Sequence, residues 1–377
     1  MFEPVTLIVD AFAQQLGRNY RAVYGKAAPD HAPVIRATAK LALERIAGSD
    51  ALYHDLSHTL FVTDVGQAIL TGRAMAKAVA PKDWLHFTAA TLLHDIGYLR
   101  GLCPGDAVGR YVVDAAGNTV SAPRGATDAF LAPWHVERAK LFVRHRCTAL
   151  PALDVERLCR AIELTRFPVP LDDDHADTGS EAALVRAADL IGQLGDPHHA
   201  RKLNALFYEF HETGLDETLG YQSPADLAEQ YPRFFWAKVE PFIGSALKHL
   251  QRTVEGKQWV TQLYGQVFIE EHRRSRGRLP VAERGDLVPD VLHGVVDRQQ
   301  RVDVAARAVD VDADLAIGVL GLEVQQLAAD DVGDVVVDRR AQEDDVLLEH
   351  ARVEVDVGLA TVGHLHDHAR VRDDRVP

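Results

Sequence analysis

The sequence has little cysteine, only two methionines, no long apolar run and, beyond residue 268, no aromatic side chain at all. Three cysteines, Cys103, Cys147 and Cys159, are too few and too irregularly spaced for a disulfide framework or a thiolate zinc site. No stretch of about eighteen apolar residues occurs, so no segment is expected to span a membrane. The opening "MFEPVTLIVDAFAQQL" lacks a basic start and is broken by Asp10 and Gln14, unlike a secretory leader. A cytoplasmic protein is expected. Positive charge is also scarce: 41 Lys and Arg face 55 Asp and Glu, a formal net charge of −14. A chain this acidic is not expected to bind a nucleic-acid duplex, whose phosphates demand clustered Lys and Arg.

The scarcity is uneven along the chain. Every aromatic residue lies at or before Phe268, and the last lysine is Lys257. Residues 281–377 hold 22 Val and 17 Asp but no Lys, Ser, Asn, Cys or Met. A core without aromatics forfeits the side chains that bury most area each. Runs such as "VDVAARAVDVDADLAIGVL" alternate with the period of a strand, yet their aspartates oppose strand formation. Composition therefore favours a tail over 273–377 that is disordered or not native coding sequence, rather than an acidic β-rich appendage. Its "HLHDH" (364–368) is discounted for that reason.

Residues 1–272 read as helix after helix, which predicts an all-α fold. N-terminal helices are expected over 1–50, a core over 51–195 and a helical extension over 196–272. "APVIRATAKLALERIAG" places apolar residues at helical spacing and stops at Gly48. Pro81 opens "PKDWLHFTAATLLHDIGYL", Ser180 caps "EAALVRAADLIGQL", and "SPADLAEQYPRFFWAKVEPFIGSALKHL" reads as one helical stretch. The segment from about 101 to 132 is rich in Gly, Pro, Asn and Asp, so a long loop is expected there. Its place directly after "HDIGY" makes it a candidate lid.

Candidate chemistry lies at the apolar centres of these helices. His58 stands in "LSHTLFV", His94 and Asp95 in "TLLHDIGYL", and Asp189 in "LVRAADLIGQL". A buried, ionised aspartate is expensive unless a cation compensates it. Each residue alone has a plainer reading: His58 as a hydrogen-bonded histidine, Asp189 as a partner of Arg186. Together, two imidazoles and two carboxylates suit a divalent ion: Mn²⁺, Fe or Zn²⁺, with Mg²⁺ also compatible. His54 precedes His58 by four residues in "YHDLSH", and on one helix face both rings would point into one pocket. An imidazole one turn from a metal is suited to general acid work.

In this order "YHDLSH", "LLHDIGY" and "RAADLIGQ" resemble the HD superfamily of metal-dependent phosphohydrolases, over roughly residues 50–195. The first motif is also similar to the Tyr-His-Asn signature of cyclic-nucleotide phosphodiesterases, with Asp55 in place of the Asn. No glutamine and aromatic clamp for a purine is identifiable. The resemblance implies an HD-domain helical bundle with a helical C-terminal extension. It implies His58, His94, Asp95 and Asp189 as ligands of one metal, with Asp95 also serving catalysis, and His54 as the donor of a proton to the leaving oxygen. The implied reaction is hydrolysis of a phosphate ester, foremost a phosphodiester, on a small phosphorylated substrate such as a nucleotide.

His135, in "WHVERAKLFV", resembles the further histidine that HD proteins place at a helix start for a second metal or for phosphate. Thr165 stands where a two-metal member would offer histidine, so one firmly held metal is expected. Arg166, before "FPVP", is a candidate phosphate contact. His145, His198, His199 and the "DDDHAD" stretch (172–177) are expected at the surface. Two alternatives are a non-catalytic HD module that binds a nucleotide or signal, and a di-iron HD-type oxygenase. Retention of His54 opposes the first and Thr165 opposes the second.

Overall fold

The computed structural model describes residues 3–277, and its architecture is all-α. The Val- and Asp-rich tail beyond Gly277, with its "HLHDH", lies outside the described residues. The chain runs through α1 (Pro4–Tyr24), α2 (His31–Ile46), α3 (Leu56–Ala76), α4 (Pro81–Leu93), α5 (His135–Arg146) and α6 (Val155–Leu164). It continues through α7 (Glu181–Leu194), α8 (His199–Thr213), α9 (Leu215–Leu219), α10 (Pro224–Phe234), α11 (Glu240–Leu250) and α12 (Val254–Gly277). Among the described residues no helix is long and apolar enough to cross a membrane.

Helices α1 and α2 pack as a pair on one flank, and α2 leans on α4. α3 occupies the centre, against α4, α7 and α11. It reads as amphipathic in sequence, yet it buries residues on nearly every side, from His58 through Val62, Gly66 and Ile69 to Gly72. Three neighbours leave it almost no wet face. Each large aliphatic side chain closed into that core contributes about 1.5–3 kcal/mol.

Two glycines permit the contacts that matter for the site. At Gly192 a Cβ would lie 2.8 Å from both Cα and N of Val62, so only glycine lets α7 cross α3 this closely. At Gly97 a Cβ would collide with the His135 carbonyl oxygen, so glycine lets the start of α5 rest on the turn after α4.

The segment expected to be a loop holds an antiparallel hairpin, β1 (Arg110–Val112) with β2 (Thr119–Ser121), followed by a 3₁₀ helix over Asp128–Trp134. Gly109 and Gly117 take positive φ of 78° and 81° at its bends, where a side chain would be strained. The buried Arg138 guanidinium ties the hairpin to α5 through Asp106 and the carbonyl of Val112. The stretch expected as one helix over "SPADL…KHL" breaks into α10, a π turn over Phe235–Val239, and α11. Pro241, in the first turn of α11, has no N–H to continue the ladder through that point.

Candidate metal centre

The site forms where three helix ends and one helix face converge. Asp55 caps α3, its carboxylate accepting from the His58 N–H at 3.0 Å and from Ser57 Oγ at 2.8 Å. Capping at Asp55 starts the helix at Leu56, so His54 precedes α3 and the helix face it was expected to share with His58 does not exist. The turn before the cap brings the two rings together all the same, with centroids 5.3 Å apart. α4 ends at Leu93, so His94 and Asp95 sit at a helix end rather than at a helix centre, leading into a 3₁₀ turn over Ile96–Tyr98. Asp189 stands on α7 nearly one turn before Gly192, where the close crossing presses it toward His58.

Four side chains meet there. His58 Nε2 lies 3.0 Å from Asp95 Oδ2 and 3.4 Å from Asp189 Oδ1; His94 Nε2 lies 3.2 Å and 3.4 Å from the same two atoms. Burial opposes charge on either imidazole, but the Asp95 and Asp189 carboxylates outweigh it, pushing His58 up to about 9 and His94 well above its ordinary value. Burial likewise opposes charge on the carboxylates, but His94 and His58 hold Asp95 well below the usual range and Asp189 at about 2.

Two overlapping groups here could hold a metal ion: His58 with His94 and Asp189, and His58 with His54 and Asp95. Despite their closeness, His58 Nε2, His94 Nε2 and Asp95 Oδ2 make no aligned hydrogen bond. Ligand atoms held about 2.0–2.2 Å from one ion stand about 3.0–3.4 Å from each other, which is the separation found here. The other nitrogen of His94, Nδ1, is engaged by the Thr91 carbonyl at 2.9 Å, leaving Nε2 to face the cluster. The donor set fits a divalent ion.

A second group adjoins it. His54 Nδ1 meets Glu209 Oε2 at 2.5 Å, while Glu209 Oε1 accepts from the N–H groups of Tyr53 and His54. Burial works against a charge on Glu209, but His54 and those N–H groups hold it below the usual carboxylate range. The Tyr98 ring stacks between His54 and His135, with centroids 4.4 Å and 4.6 Å away. His135, the first residue of α5, directs Nδ1 to the Ala132 carbonyl at 2.6 Å and Nε2 toward Asp95 Oδ1, 3.8 Å away. Glu209 and Tyr98 were not among the sequence candidates. Glu209 sits in "LFYEFHET", which carries no motif; Tyr98 closes "HDIGY" and reads there as an apolar residue.

A cavity of about 360 Å³ opens in front of the cluster, lined at one end by His54, Asp95, Tyr98, His135 and Asp189. The hairpin is held against α5 by Arg138, and of the segment from 101 to 132 only Ala132, at its end, lines the cavity. Thr165 and Arg166 do line it. The Arg166 guanidinium is paired through Nε with Glu163 at 2.6 Å and through Nη2 with Glu137 at 2.7 Å, which leaves the Nη1 donors unengaged. His145 and His198 are exposed, as are Asp172, Asp173 and Asp174. His199 and His175 depart from the surface expectation: both are buried, His199 because α8 turns that face inward onto the cavity, and His175 beneath the acidic loop beside Asp172.

The chain belongs to the Npun_R2479-like family, whose model matches residues 2–273. The matched residues stop close to where the aromatic-free segment begins. No curated protein matches the chain.

Proposed function

We propose that this member of the Npun_R2479-like family is a metal-dependent phosphohydrolase acting on a small phosphate ester, foremost a phosphodiester. One observation carries the reading: His58, His94 and Asp95 face each other with no aligned hydrogen bond, Asp189 lies 3.4 Å from both imidazoles, and beside them is a histidine whose far nitrogen is held by a buried carboxylate. The HD resemblance supports it, because that superfamily's ligand positions fall on His58, His94, Asp95 and Asp189. These four would hold the ion, Mn²⁺, Fe²⁺, Zn²⁺ or Mg²⁺ by donor type. When bound, such an ion supplies Lewis acidity and brings the ionisation of water near neutral pH.

The chain's own residues supply the rest. Asp95 points Oδ2 at the two ligand imidazoles and Oδ1 toward His135, so one carboxylate orients both sides of the site. His54 gives a proton from Nε2, which only the Tyr98 hydroxyl meets, at 3.4 Å, to the departing oxygen, since Glu209 occupies Nδ1. Tyr98, packed between the two outer histidines, fixes their planes and keeps water from between them. The three buried free cysteines suit a reducing compartment, and we place the protein in the cytoplasm.

The test is metal content of the purified full chain by mass spectrometry, beside His94→Ala and Asp95→Ala. About one equivalent is expected in the parent and close to none in either variant. Hydrolysis of bis-p-nitrophenyl phosphate with Mn²⁺ should follow the same pattern. A parent that stays metal-free when metal is supplied would sink the reading. An iron-only protein without phosphoesterase activity would turn it toward oxidation.

A further inference from the structure

The cavity runs well past the metal-binding end. Its volume of about 360 Å³ falls within the range of small-molecule sites. One wall is a single face of α8, on which His199, Leu203, Leu206, Glu209 and Phe210 recur at helical spacing. Glu209 stands at the reacting end, bonded to His54. His199 lies ten residues earlier, about 15 Å along the helix at 1.5 Å per residue. Between them Leu203 and Leu206 belong to an apolar cluster with Tyr53, Phe207 and Leu227 that is separate from the main core.

The far end carries no free charge. The rings of His199 and Tyr231 lie 4.8 Å apart, and neither the His199 nitrogens nor the Tyr231 hydroxyl makes a hydrogen bond. Burial lowers His199 to about 4, so it is neutral at physiological pH. Of the arginines along the lining, Arg186 is held by the carbonyls of His175 and Asp177, and Arg166 has its charge countered by Glu163 and Glu137, bonded through Nε and Nη2. Along Leu203 and Leu206 the wall is hydrocarbon, and a ribose or purine lying there would give up hydrogen bonds to water without return; the unpaired His199 nitrogens and Tyr231 hydroxyl can meet only the tip of a chain that reaches the far end. A hydrocarbon gives up nothing.

We infer that the substrate is the phosphate ester of an apolar alcohol, alkyl, prenyl or aryl, lying along α8 from Glu209 toward His199. Leu203 and Leu206 set the length of chain it accepts. This inference rests on the phosphohydrolase reading. Hydrolysis forms a P–O bond from water and breaks the P–O bond to the alcohol. The alcohol oxygen leaves with the His54 proton, and the proton lost by the water returns to solvent.

The test is kcat/KM of the full chain with Mn²⁺ on methyl, butyl, hexyl and octyl phosphates and the matching methyl alkyl diesters. Adenosine monophosphate and cyclic AMP are run beside them, and the affinity of methyl to octyl phosphonates is measured by titration calorimetry. The ratio kcat/KM should rise about threefold to fourfold per methylene until the chamber is full. Leu203→Trp should end the rise at a shorter chain and Leu203→Ala at a longer one, opposite shifts that misfolding cannot produce. A flat or falling series, or a nucleotide hydrolysed faster than every alkyl ester, overturns the inference and leaves the hydrolase. If no ester is hydrolysed while phosphonate affinity still climbs with chain length, the hydrolase reading fails and the apolar chamber stands. If affinity is flat as well, both fail.

Discussion

Two clusters of buried charge meet the first turn of α5, one through His135 beside Asp95 and one through Arg138, and they use their atoms in opposite ways. Arg138 is fully buried, and its guanidinium is saturated: Nε donates to Gly97 O at 2.8 Å, Nη2 to Leu99 O at 2.7 Å and to Asp106 at 3.0 Å, and Nη1 to Val112 O. His58 and His94 of the other cluster are almost as deeply set, yet their Nε2 atoms and Asp95 Oδ2 face one another without an aligned hydrogen bond. Burial of charge says only that something compensates it. Saturated donors mark a strut that fixes a turn and a hairpin, whereas donors left facing one another mark room for a ligand.

The sharpest way to break that comparison is to remove one member of each cluster. Arg138→Ala leaves the buried Asp106 carboxylate without its counter-ion, with only the Cys103 and Val112 N–H groups to bond it, and should cost about 3–5 kcal/mol in urea unfolding, whether or not metal is present. The metal cluster should answer to the ion instead. Metal at a hundred times its Kd should stabilise the parent by about 2.7 kcal/mol and His94→Ala not at all. Arg138→Ala, if enough of it folds, should keep the metal-dependent gain. Equal responses of both clusters to metal would erase the distinction drawn between them.

A smaller effect is expected from Gly192→Ala. Its Cβ would meet Val62 backbone atoms at 2.8 Å, and neither helix can give way without moving His58 or Asp189. A loss of about 1–3 kcal/mol is expected, typical of overpacking, together with weaker metal binding. Unchanged stability with unchanged metal affinity would mean that the crossing does not position the site.

Much of the helical order was legible because it rests on local signals: Pro81 at a helix start, Ser180 as a cap accepting from the Ala183 N–H at 3.2 Å, apolar residues at helical spacing. The four cluster residues stood out because their types contradict their surroundings, a histidine or aspartate among aliphatics. Glu209 gave no such signal. An acid in an amphipathic helix is ordinarily solvated, and its burial against His54 follows from how α8 docks, a contact 155 residues away in sequence. His199 was misjudged for the same reason. The hairpin escaped because three-residue strands among glycines have too few residues to show a period, and the break before α11 because its cause, Pro241, also fits a new first turn.

Glu209→Gln is the mildest change and separates position from stability. Glutamine keeps the shape and a carbonyl oxygen for the Tyr53 and His54 N–H groups, so the loss should be about 1 kcal/mol, the difference between a charged and a neutral acceptor. Metal content should not move, because no Glu209 atom faces His94 or Asp189. The amide, however, cannot both accept from those N–H groups and accept from His54 Nδ1. It turns its NH₂ toward the ring, which makes Nδ1 an acceptor and disfavours the doubly protonated ring from which Nε2 gives its proton. With Glu209 as a positioning residue, kcat should fall by about tenfold to a hundredfold while KM and bound metal stay at parent values. A rise in KM at constant kcat would instead mean that Glu209 acts only by contacting substrate from the α8 wall, and His54 would lose its assignment as the proton donor.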